Sequence, residues 1–183
     1  MITFDFFKRK CYNKAMSKLE TIGRDALVDL SESIKKVPAK VDTGADSSAI
    51  WASDIHIDEQ GRLVFKLFGK GSEFYTGEDI VCAEYDASKV KSASGHIAMR
   101  FKAPFRLRIN GREVKTVLGL SDRSTHVYPI LIGRRTLKDN FVVDVSRERI
   151  YTPETKDAAM KLTRAMKEDF YKQHSKNNEE AAK

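Results

Sequence analysis

The residues most able to do chemistry lie in one short stretch, Ala39-Lys40-Val41-Asp42-Thr43-Gly44-Ala45-Asp46-Ser47-Ser48. An apolar segment runs directly into Asp42-Thr43-Gly44. A carboxylate at a strand end, followed by a glycine that permits a tight turn, projects beyond the sheet and can move protons there. The tripeptide alone fits a catalytic carboxylate or an ordinary turn, because Asp, Thr and Gly are also common turn residues. Other chemistries find less support. His56, His96 and His126 are widely scattered, with no His-Glu-x-x-His helix and no nucleotide-binding glycine loop, so no metal ligand set or cofactor is expected. Cys11 and Cys82 are too few for a disulfide framework and are read as reduced thiols.

The elements around this stretch read as short strands. Ala26–Leu30 and Val37–Val41 flank a turn. Asp54–Asp58 alternates, and Arg62–Phe68 places Leu63, Phe65 and Leu67 in phase. Ile80–Tyr85 and Ile97–Phe101 flank a Ser- and Lys-rich stretch. Phe105–Ile109 and Glu113–Leu120 are joined by Asn110-Gly111, a strong hairpin signal. Tyr128–Gly133 reads as a buried strand ending in glycine, and Phe141–Val145 with Arg149–Tyr151 closes the sheet region. Many short strands at close spacing predict a mainly β domain, a barrel or sandwich with few helices. Beyond Pro153, Ala159, Leu162, Met166 and Phe170 recur at helical spacing. The expected organisation is an N-terminal extension over 1–19, a domain over 20–152, and a C-terminal helix with a frayed tail over 153–183.

Charged residues make up 32% of the 183, apolar residues 41%, and the formal net charge is +7, a balance typical of a soluble globular protein. No apolar run is long enough to span a membrane, and the N-terminus does not read as a secretory signal, so a cytoplasmic location is expected. The basic residues are dispersed and carry no nucleic-acid-binding signature; a solvated basic surface is favoured over a nucleic-acid partner.

The segment Val41-Asp42-Thr43-Gly44-Ala45-Asp46 closely resembles the active-site loop of retropepsins. Ile130-Leu131-Ile132-Gly133-Arg134-Arg135 resembles the apolar-apolar-Gly-Arg segment that passes beside that loop and leads into a helix. Lys91 to His96 falls where the flap hairpin would be. The match extends over roughly Ile22 to Ile150, and is nearest to the bacterial and archaeal retropepsin-like group labelled "ATP-dependent zinc protease". The resemblance implies a retropepsin-like closed β-barrel, the acid protease fold, with a short internal helix and a C-terminal helical extension. It implies aspartic endopeptidase activity with Asp42, Thr43 and Gly44 as the catalytic loop. Asp46 and Arg134 would form a bracing ion pair, and Ala45, Ser92, Ala93, Ser94 and Gly95 would contact substrate or form the flap.

Hydrolysis by this route needs two carboxylates sharing one proton. The chain holds a single Asp-Thr-Gly. Asp144 and Asp122 lack the glycine turn, so a homodimer is expected to supply the second Asp42. The substrate would be a peptide or protein. An acidic, glutamate-rich one suits the positive charge, and relatives in some bacteria accompany ligases that add glutamate tails to a ribosomal protein. A peptide-binding module without turnover and a metal-dependent hydrolase are the alternatives.

Overall fold

The computed structural model describes residues 19–91 and 97–147. Chain contacts separate Met1–Ser124 with Tyr128–Ile150 from a second unit of Thr125–Val127 with Tyr151–Lys183. The first unit holds the fold described below. The expected C-terminal helix, the N-terminal extension and Arg149–Tyr151 lie outside the described residues.

The strands are β1 (Glu20–Ile22), β2 (Asp25–Asp29), β3 (Val37–Val41), β4 (Ser48–Ile57), β5 (Leu63–Leu67), β6 (Asp79–Cys82) and β7 (Asp86–Lys91). They continue as β8 (Ile97–Ile109), β9 (Arg112–Ser121), β10 (Ile130–Ile132) and β11 (Phe141–Val143), with one short helix, α1 (Arg134–Leu137). Alternation sets the inner face. In β3, Val37, Ala39 and Val41 are buried while Lys40 is exposed. In β8 the inward residues are Ala103, Phe105, Leu107 and Ile109; in β9 they are Val114, Leu118 and Leu120. Burying each large apolar side chain contributes ~1.5–3 kcal/mol, and these residues line one continuous core.

The order β10-β3-β2-β8-β9-β4 closes on itself, because β10 also pairs with β4. The result is a six-stranded barrel, as the resemblance implied. β5 and β6 extend from β4, and β7 pairs with β8. The hairpin between β8 and β9 turns on Asn110 (φ 46°) and Gly111 (φ 93°), the backbone that a two-residue type I′ turn demands. Asn110 also ties the turn to β2: its Oδ1 accepts the Leu27 N–H at 2.9 Å.

Three strands differ from the sequence expectation. Ile97–Phe101 and Phe105–Ile109 form one continuous β8, since Pro104 is accommodated opposite Val117 without ending the strand. The strand expected over Asp54–Asp58 is, as far as Ile57, the distal part of the longer β4. A register shift between Ser53 and His56, with Asp54 at φ 52°, separates this alternating part from the first half of the strand. The strand expected over Ile80–Tyr85 is shorter, and Asp86–Lys91 forms β7. No helix among the described residues is long and apolar enough to cross a membrane.

Candidate active site

The loop that carries Asp42 hangs between β3 and β4, and β10 holds both of its ends. β10 runs parallel to β3, with Ile132 opposite Val41, and antiparallel to β4, with Ile130 opposite Ile50. The ladder continues into the loop. The Asp42 N–H donates to the Ile132 carbonyl at 2.9 Å, the Arg134 N–H to the Ala45 carbonyl at 2.8 Å, and the Arg135 N–H to the Asp46 carbonyl at 3.2 Å. Two main-chain segments distant in sequence therefore fix the loop before any side chain is considered.

Gly133 makes this approach possible. A Cβ there would stand 2.6 Å from the Ser47 carbonyl oxygen and 2.9 Å from that of Ala45. Beneath it lies a buried polar relay. The Gly133 N–H donates to Ser48 Oγ at 2.9 Å, Ser48 Oγ lies 2.6 Å from Thr136 Oγ1, and Thr136 Oγ1 lies 2.7 Å from Thr116 Oγ1. Ser48 and Thr136 are each 2% exposed. A buried hydroxyl requires such a partner, so the three side chains are satisfied together.

The Asp42 carboxylate is oriented by its own loop. Its Oδ1 accepts the N–H groups of Gly44 and Ala45, both at 3.1 Å. Its Oδ2 lies 3.5 Å from Lys40 Nζ, and the Asp42 side chain is 28% exposed. Partial burial pushes this carboxyl up, but the Ala45 and Gly44 N–H groups and the Lys40 ammonium outweigh it. The net effect holds Asp42 below the usual aspartate range.

Thr43 and Gly44 are exposed beside it and Ala45 is half-buried. Asp46 meets two arginines: Arg134 Nη2 at 3.5 Å from Oδ1 and Arg135 Nη2 at 2.7 Å from Oδ2. The expected Arg134 contact is thus the longer of the two. Ser92, Ala93, Ser94 and Gly95 lie outside the described residues; β7 and β8 pair up to Lys91 opposite Ile97 on either side of them.

Sequence reasoning passed over Lys40, Arg135 and the Ser48–Thr116–Thr136 relay. Lys40 was findable, since two residues apart on a strand is one face. Among the described residues, no group of three or more His, Cys, Asp or Glu side chains is gathered as a metal-ligand set.

A closed barrel with Asp-Thr-Gly at the end of an inner strand, clamped by an apolar-apolar-Gly-Arg strand, defines a retropepsin-like protein. Residues 21–154 match the RimB-like family, described as "Retropepsin-like aspartic endopeptidase RimB", and the chain belongs to that family. Among solved structures it is similar to a crystal structure of a protein of unknown function (DUF785) from Legionella pneumophila subsp. pneumophila str. Philadelphia 1. The two share 23% identity over 72% of this chain and 97% of the other, with a TM-score of 0.54, a likeness of fold. No curated protein matches the chain.

Proposed function

We propose that the chain is an aspartic endopeptidase whose active site assembles from the Asp42 residues of two copies. The observation that carries this reading is the setting of Asp42. Its carboxylate is held by two backbone N–H groups on one oxygen and remains partly open to solvent on a rigid strand end. Family membership supports the same reading.

In the assembled site, one Asp42 is ionised and takes a proton from water as the water oxygen bonds to the scissile carbonyl carbon. The other Asp42, protonated, gives its proton to the carbonyl oxygen. The tetrahedral intermediate then collapses. The Asp42 that took its proton from water passes it to the amide nitrogen, the C–N bond breaks, and a hydroxyl of the intermediate gives its proton to the other carboxylate as the new carbonyl forms, so the pair again holds one proton. Two carboxyls at contact distance cannot both ionise readily, so the two apparent pKa values belong to the pair. Each Thr43 would reach the opposite loop and hold the carboxyls coplanar, Gly44 would let substrate backbone approach, and Ser92–Gly95 would close over the peptide. Asp46, with Arg134 and Arg135, adds a solvent-screened ion pair to a loop that the backbone bonds hold.

An acidic peptide substrate suits the formal charge of +7 and the Lys40 ammonium beside Asp42. The test is Asp42→Asn, which keeps size and polarity but cannot serve as the base. Peptide cleavage should fall by roughly 10² to 10⁴-fold or more with the melting temperature retained. Wild-type turnover by this variant would refute the reading.

A further inference from the structure

Arg123 follows β9 by two residues and is 8% exposed. Its Nε donates to the Tyr128 carbonyl at 3.1 Å, its only hydrogen bond among the described residues. No carboxylate among those residues pairs with it. The adjoining Asp122 turns Oδ1 to the Ser124 N–H at 2.8 Å, and the buried Asp25 takes the Tyr128 hydroxyl on Oδ2 at 3.2 Å. Burial pushes the Arg123 pKa down, and no neighbouring carboxylate acts in the opposite sense. Arg112 shows the usual arrangement: its side chain is 13% exposed and meets Glu20 at 3.5 Å.

A guanidinium taken out of water is costly unless an anion and hydrogen-bond acceptors replace the lost hydration. Here only the Nε–H is satisfied by protein. The two Nη atoms carry the remaining donors, and they keep an opening to solvent. Main chain holds the group in place. Tyr128 lies directly before Pro129 and β10, and the Pro129 carbonyl accepts the Trp51 N–H at 2.8 Å. Arg123 therefore ties the end of β9 to the start of β10, with its donor fork already positioned.

We propose that the Arg123 guanidinium binds a small oxyanion, of the inorganic phosphate class, at the connection between β9 and β10. Two Nη atoms in one plane match two oxygens of such an ion. An exposure of 8% admits an ion of that size and not the surface of a folded partner. The bound ion supplies the counter-charge that the described residues do not, and stabilises the segment leading into β10. The proposal is independent of the peptidase reading, since it concerns binding and stability and not turnover.

The test uses the full chain, with inorganic phosphate as the probe and chloride at matched ionic strength as the reference. Isothermal titration of wild type should show a single saturable phosphate site per chain. At about ten times Kd, phosphate should raise Tm by about 3–6 °C over chloride. Arg123→Met keeps the length of the side chain and removes its charge. It should lose the saturable site and the rise in Tm. In chloride it should be no less stable than wild type, because no native ion pair is broken. Arg100→Met, which removes an exposed arginine elsewhere, should keep the site. Should Arg123→Met fail to fold, Arg123→Lys replaces it; the charge stays, the fork is lost, and phosphate should bind about tenfold more weakly. No saturable phosphate binding by wild type, or undiminished binding in the Arg123 variant, overturns the proposal. An equal loss of stability in both salts would mark a merely structural arginine and overturn it as well.

Discussion

Gly133 and Ser47 pack so closely that a β-carbon on the glycine would stand 2.6 Å from the serine carbonyl oxygen. The obstacle is main chain, which cannot swing aside as a flexible side chain would. Gly133→Ala should therefore push β10 away from the loop and cost roughly 1–3 kcal/mol, the range for overpacking. Urea unfolding measures the cost, and cleavage should drop with it because the loop loses its clamp. A variant as stable as wild type would contradict the close approach.

Ser48 tests the relay below. Its Oγ accepts the Gly133 N–H inside the protein, so Ser48→Ala strands that N–H and one oxygen of the Thr136 contact. The expected destabilisation is about 1–3 kcal/mol, read from the shift in denaturant midpoint. Thr136→Val removes a different member of the same relay. In the double variant the two costs should fall short of additive.

Asp46 should behave differently. It is 54% exposed and its arginine partners are 60% and 72% exposed, so solvent screens both ion pairs. Asp46→Asn should cost under about 1 kcal/mol and less than Ser48→Ala. The backbone bonds from Arg134 and Arg135 to the loop carbonyls are untouched by this change. A loss larger than that of Ser48→Ala would mean that the ion pairs, and not the backbone ladder, hold the loop.

Lys40 contributes to the pH dependence after the loop N–H groups. Its ammonium lies 3.5 Å from Asp42 Oδ2 and, with the Ala45 and Gly44 N–H groups, favours the ionised carboxyl against the opposing effect of burial. A folded-state pKa below the ordinary aspartate value contributes stability above that value, and the contribution is lost on acidification. Removing the cation makes each ionisation of the pair harder. Lys40→Gln should thus move both limbs of the kcat/KM profile to higher pH. A downward or absent shift would show that Lys40 does not act on the reacting carboxyls.

Much of this site was legible from the sequence because its determinants are local. An apolar strand followed by Asp42-Thr43-Gly44, and an apolar strand ending at Gly133, state the turn and the clamp in adjacent residues. The hairpin at Asn110-Gly111 was equally plain, since few residues other than Asn and Gly adopt positive φ at both turn positions. What escaped notice depends on tertiary contact. Strand β7, Asp-Ala-Ser-Lys-Val-Lys, has little apolar pattern and is specified by its pairing with β8. Pro104 looks like a strand break until its partner Val117 is known. Thr116 occupies an inward position in an apolar series, which makes sense only beside Thr136. Arg135 and Arg134 are neighbours of identical type, and only side-chain geometry shows that Arg135 makes the shorter contact with Asp46.

The shared site is tested most directly by mixing subunits. Wild-type chains, held at fixed amount, are refolded together with an equal amount of Asp42→Asn chains, and peptide cleavage is compared with wild type refolded alone. If each active site draws one Asp42 from either chain, random pairing leaves about half of the wild-type activity. Undiminished activity would mean that a single chain cleaves unaided, and would contradict the account.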